Sequence, residues 1–291
     1  MVAIDVDPTL AAGPRPTWGA RRPRRVGRTI VLVVAALYFF APVAAAFWFS
    51  VHNNRTAFSL GVYGRMFGAA GFGTAFRLSL ELAVITVVIT LTLLVPTMLL
   101  VHLRFPRLRS LLEILCLFPL VIPPVVLVVG VRTVLGWGPD QLAGTPLQSL
   151  FNTLQNTSLP WILALEYVVL ALPFTYRALD AGLRSHSITT LVEAARNLGS
   201  SWPDVVLRVV LPTLRTSLLN AAFLAFALVL GEFTIASILL YQTFTVWILQ
   251  FNDTDGQLSV AVSLMSLLIT WLLLIVIAVL GRGRNRKGSR G

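Results

Sequence analysis

An all-α, polytopic membrane bundle with six transmembrane helices is the fold that the sequence predicts. Three observations predict it. Of the 291 residues, 56% are hydrophobic and only 12% are charged, whereas a soluble domain carries about 25% charged residues. The apolar residues gather into runs long enough for a helix to cross the ~30 Å hydrocarbon layer. The basic residues, which give a net charge of +11, fall almost entirely between alternate runs, as a bilayer-sorted chain requires.

The elements follow in order. Residues 1–28 are rich in Pro, Gly and Arg with no apolar period, and read as a mobile tail. Residues 29–51 contain no charge and make the first span. Ala44, Ala45 and Ala46 resemble a signal-peptide cleavage site, but the apolar run continues through Phe47, Trp48 and Phe49, so a retained helix is expected. The second span covers 78–101, with Pro96 as a kink. The third covers 110–135 and carries Pro119, Pro123 and Pro124. The fourth, 161–176, is interrupted by Glu166; the fifth, 216–240, by Glu232; the sixth covers 258–280. Residues 281–291 form a second basic tail.

The fifth span tests the assignment, because an acid at mid-helix costs about 2.5–3.5 kcal/mol on insertion scales. Its 13 Leu, Ile, Val and Phe residues offset this at about −0.3 to −0.6 kcal/mol each. The segment inserts.

Six spans place both termini on one side. That side receives 19 of the 23 basic residues, and the loops 136–159 and 241–257 on the other side have none. The positive-inside rule therefore puts both termini, and the long loop 177–215, in the cytoplasm. With the basic excess explained by topology, nucleic acid is not an expected partner; the lipid bilayer is.

Loop 177–215 reads as helix, turn, helix. Thr190 with Glu193 matches a capping box. Leu191, Ala194, Ala195 and Leu198 then share one helical face, and Gly199 suits the left-handed stop behind them. Ser201 with Asp204 caps a second helix, with Trp202 and Pro203 in its first turn. Pro212 breaks or bends that helix before the fifth span. Taken singly, such caps are ordinary helix punctuation.

Their joint spacing is more specific. Glu193-Ala194-Ala195, Gly199, Val209 and Leu211-Pro212 resemble the EAA loop of binding-protein-dependent ABC transporter permeases of the MetI-like kind. Val209 stands where that family more often has Ile. The Pro-rich run Phe118–Pro124 and Arg77-Leu78-Ser79-Leu80-Glu81 extend the likeness from about residue 60 through the sixth span. The resemblance implies a non-catalytic permease subunit of an importer in the bacterial inner membrane. It implies three kinds of partner: a dimer of ABC ATPase subunits, a second permease subunit (identical or paralogous) and an extracytoplasmic solute-binding protein. It also implies that the first loop helix is the coupling helix, with Ala194 and Ala195 allowing close approach, Glu193 contacting the ATPase or holding the loop, and Gly199 setting the turn.

Chemistry that is missing agrees with that division of labour. The only lysine, Lys287, is followed by Gly288, so no P-loop Lys-Ser/Thr pair exists. ATP and Mg are expected in the partner, with no cofactor in this chain. Cys116 is the sole cysteine, and His52, His102 and His186 are scattered. Hence neither a metal site nor a catalytic set is expected.

Glu81, Glu166 and Glu232 are the acids within or at the edge of spans. Ionisable groups at such depth mark solute pathways. Their structural alternatives are an Arg77–Glu81 pair at i, i+4 and neutralisation of Glu166 or Glu232 by Arg132. If they line the route, a cationic solute fits. The segment Gly231–Ala236 also resembles the permease branch for polyamines, iron, thiamine, sulfate or phosphonates more than the sugar branch. A polyamine is the first expectation. A membrane-embedded enzyme would need a convergent acid/base set, and an ATP-independent carrier would need no docking loop and usually shows inverted repeats.

Overall fold

The computed structural model describes residues 25–52, 58–185, 187–252 and 255–282. Most of both expected tails, and His186, lie outside the described residues. Every described element is helical. Two compact units divide at Ala46/Phe47. The first is the N-terminal part of α1 (Arg25–Val51), which carries Pro42 and exposes its apolar side chains from Ile30 to Phe40.

The second unit is built on three helices that pack on one another: α3 (Phe72–Leu103), α7 (Trp161–Ser185) and α10 (Arg215–Gly231). Between helices in lipid no hydrophobic drive operates, and close van der Waals packing must hold them together. Small residues supply that closeness. Ala83, Ala164, Ala171 and Ala221 are fully buried, and a Cβ added to Gly182 of α7 would collide with the Ser217 side chain of α10. The larger side chains fill two layers around this contact. Leu82, Leu163, Tyr167 and Phe226 form one; Leu94, Met98, Leu179 and Leu183 form the other, beside the long loop.

A third, aromatic cluster joins Phe72 and Phe76 of α3 to Phe244 and Trp247 of α12 (Phe244–Asn252) and to Met66 of α2 (Gly61–Phe67). Gly71, at φ 84°, starts α3 here. The Trp247 Nε1–H donates to the Ala70 carbonyl at 3.0 Å, and a side chain at Gly71 would press on that indole.

Three expectations need correction. The third span is not one helix. α4 (Arg109–Leu117) runs into a 3₁₀ turn, Phe118–Leu120, and α5 (Pro124–Asp140) leaves at 93°. Pro119, Pro123 and Pro124 remove the N–H groups that would carry a helix through. The fifth span also breaks: α10 stops at Gly231, Glu232 is extended (φ −75°, ψ 130°), and a short α11 (Thr234–Ile238) follows. The insertion cost counted for an acid inside a helix therefore does not apply to Glu232. The helix of the fourth segment runs beyond Tyr176 to Ser185, taking nine residues from the expected loop. α6 (Pro146–Leu154) lies between α5 and α7, and α13 (Gly256–Arg282) closes the described chain.

Candidate functional site

The loop between α7 and α10 holds two elements, α8 (Ile188–Asn197) and α9 (Trp202–Thr213). Behind them the end of α7 is anchored by Asp180. Its carboxylate accepts from Arg109 of α4 at 2.8 Å and from Arg184 at 2.7 Å, with only 15% of the Asp180 side chain exposed. Asp180 escaped the sequence reading. An Asp four residues before an Arg was the available signal, but Arg109 comes from 71 residues away.

The capping box is not formed. α8 begins at Ile188, three residues before the expected first helical residue, Leu191, so Thr190 lies inside the helix and is exposed. Ser187 precedes the helix without a side-chain cap. Burial decides this start: Ile188 and Val192, one turn apart, are the residues that enter the core. The face shared by Leu191, Ala194, Ala195 and Leu198 is thus the outer one for the most part. Leu191 and Leu198 are 39% and 87% exposed, Glu193 and Ala194 are exposed, and Ala195 alone of that face packs partly against the core.

The turn after α8 is as expected and can be specified. The Gly199 N–H donates to the Arg196 carbonyl (3.0 Å) and the Ser200 N–H to the Ala195 carbonyl (3.1 Å). These are the two bonds of a Schellman stop, with Gly199 at φ 86°. An added Cβ at Gly199 would meet no atom within 4 Å. The requirement for glycine here is thus conformational, not steric.

Ser201 caps α9 as predicted. Its Oγ accepts from the Asp204 N–H (3.4 Å) and donates to the Asp204 carboxylate (2.6 Å), while Arg208 pairs with the same Asp at 3.3 Å. From Val205 to Val210 the helix widens to π geometry, which keeps Val205 and Val210, five apart, both buried. Pro212, exposed, has no N–H to give, and the Thr213 hydroxyl donates to the Val209 carbonyl at 2.7 Å. Val209 and Leu211 are half-buried. Beyond Thr213 the chain bends 73° into α10.

Arg196 and Trp202 bridge the turn: the guanidinium lies 5.3 Å from the indole centroid and donates to the Ser200 carbonyl at 2.7 Å. Nothing in the sequence pattern paired them.

The three acids are placed differently from one another. Glu81 is held by Arg77 at 2.9 Å. Glu232 caps α11: its carboxylate accepts from the N–H groups of Ile235 (2.8 Å) and Ala236 (3.3 Å), and its own carbonyl accepts from the Thr245 hydroxyl at 2.6 Å. Glu166 is 3% exposed, and neither of its oxygens meets a donor among the described residues; the hydroxyls of Thr86 and Thr90 likewise meet no partner there. Glu232 lies within electrostatic reach of Glu166 and Tyr167. Arg132 neutralises neither acid; it turns instead toward the Ile238 carbonyl at 3.5 Å. Among the described residues no group of His, Cys, Asp and Glu could hold a metal ion.

Residues 102–286 match the profile of the family described as binding-protein-dependent transport system inner membrane component. The molybdenum transport system permease protein ModB of Mycobacterium bovis is 33% identical over 160 residues, which is 55% of this chain and 59% of that protein. Its namesake in Mycobacterium tuberculosis matches to the same extent. The ModB of Azotobacter vinelandii is 31% identical over 162 residues, 55% of this chain and 69% of that protein. The match thus spans about three-fifths of the mycobacterial relatives.

Proposed function

We infer the function from the premise that this chain belongs to the family of inner membrane components of binding-protein-dependent transport systems: it is a permease subunit of an ABC importer. It forms half of a solute pathway in the bacterial inner membrane, with an identical or paralogous permease as the other half. A solute-binding protein delivers from outside, and two ATPase subunits holding ATP and Mg work from inside. Both termini and the α8–α9 loop face the cytoplasm, on the side where the arginines gather.

One observation carries the coupling role. α8 is seated from behind by Ile188 and Val192, yet turns Leu191, Ala194 and Leu198 outward. An apolar stripe on a braced, exposed helix suits insertion into a groove of another protein. Glu193 beside it offers a charge at the rim, while Val209, Leu211 and Pro212 shape the joint into α10. The test is cross-linking. With Cys116 replaced by Ala, Ala194→Cys should form an adduct with the ATPase subunit in native membranes. No adduct from Ala194→Cys or from Leu198→Cys would overturn the coupling assignment.

The solute we propose is a tetrahedral oxyanion of the molybdate kind, in place of the polyamine expected first. The relatives are named for molybdenum transport. The charge argument for a polyamine also loses its footing, because the Glu232 carboxylate is engaged in capping and Glu166 is sealed within the bundle. Sulfate, among the earlier alternatives, is the chemically nearest competitor. Uptake of labelled molybdate into vesicles holding the assembled transporter should exceed that of spermidine. Preferential spermidine uptake would restore the first expectation.

A further inference from the structure

Where α3 ends, a cleft of about 330 Å³ opens between it and α9. Val95, Leu99, Leu100 and Leu103 make one wall, Val206 and Leu211 the other, and Pro96 lies in the first. The cleft is more than twice the roughly 150 Å³ at which a dry apolar cavity accepts benzene. Its lining is hydrocarbon except at the terminus of α3, where Arg104 borders it, and Trp202 also lines it. Arg104 is exposed, as is Arg107 three residues on, and neither meets a carboxylate among the described residues. Arg196, stacked over Trp202, adds a third cation beside the cleft.

We propose that this cleft binds one chain of an anionic phospholipid, with the lipid phosphate on Arg104. The charge pattern selects the occupant. An apolar slot ending at the Arg104 guanidinium, which meets no carboxylate among the described residues, matches an acyl chain that leads to a phosphate, because Arg pairs its forked N–H donors with phosphate oxygens. The half-exposed Trp202 indole in the lining is a side chain suited to the headgroup level of a bilayer. A zwitterionic choline headgroup would bring its own cation toward Arg104, with Arg196 over the neighbouring Trp202. The proposal requires only that the chain sits in a bilayer, so it stands apart from the permease reading.

Native mass spectrometry tests it. Full-length protein is reconstituted into nanodiscs of equimolar phosphatidylglycerol and phosphatidylcholine, released, and the retained lipid identified. The wild-type chain should keep a phosphatidylglycerol and no phosphatidylcholine. Arg104→Gln should lower retention about fivefold, the worth of one basic contact near a charged headgroup. Leu100→Trp keeps every charge but fills the slot, and should lower retention about tenfold as methylenes lose their seat. Leu100 is half exposed, so the variant should fold, which circular dichroism checks; Val206→Phe is a second filler should it not. If the folded filler variant retains lipid like wild type, no chain occupies the cleft and the proposal fails. It fails equally if Arg104→Gln changes nothing, or if phosphatidylcholine is retained as well as phosphatidylglycerol.

Discussion

Single residues settle what the loop can do. Gly199 is the clearest, because open space surrounds it while φ 86° excludes a branched side chain. Gly199→Val should cost about 1–3 kcal/mol at the turn and abolish uptake with membrane insertion intact. Gly199→Asn, which tolerates the left-handed region, should retain much of it. Vesicle uptake beside immunoblots of the membrane fraction separates the two outcomes; equal uptake by both would remove the turn from the mechanism. Glu232 gives a second test. Glu232→Gln keeps an acceptor for the α11 N–H groups, whereas Glu232→Ala loses about 0.5–2 kcal/mol of capping, so thermal melting should rank wild type, Gln, Ala. Gly199 and Ser201 were legible because a stop and a cap are written within a few residues of themselves. Gly182 and Asp180 were not, since their partners Ser217 and Arg109 come from other helices.

At the scale of elements, the sequence announced breaks without their angles. Three prolines stand in the expected third span, yet that span was read as continuous, and the 93° turn depends on where α5 finds its neighbours. The fifth segment was harder. Gly231-Glu232 reads as a costly point inside a helix, and only the Glu232 contacts with Ile235 and Ala236 identify it as the start of the next one. Which face of α8 meets the core was likewise left open: Leu191, Ala194 and Leu198 have helical spacing, as do Ile188 and Val192, and periodicity cannot say which stripe is buried. The joint between α4 and α7 is testable. Asp180 accepts two charge-assisted bonds, the one from the part-buried Arg109 worth up to about 1.5 kcal/mol and the one from the exposed Arg184 about 0.3–0.5 kcal/mol. Asp180→Ala should therefore lower the melting temperature in detergent more than Arg109→Ala, and Arg109→Ala more than the exposed Arg184→Ala.

For the whole molecule, hydropathy and charge were enough. Six apolar segments and an asymmetric arginine count lead to a membrane bundle, and the family match over 102–286 places it. The order of packing was not readable, because α3, α7 and α10 meet through alanines and a glycine that carry little hydropathy signal. The orientation has a direct test. With Cys116 replaced, Asn197→Cys should react with an impermeant maleimide only from the cytoplasmic side, and Thr157→Cys only from outside. The reverse pattern would invert the bundle.

The outward leucines of α8 have a biogenesis consequence. A newly inserted copy without its companion would carry a greasy ridge into water, with Leu198 almost wholly bare, and such ridges invite chaperones, proteases and clumping. Survival of this chain in the cell should therefore track the supply of whatever covers the ridge, and overproducing it alone should shorten its lifetime.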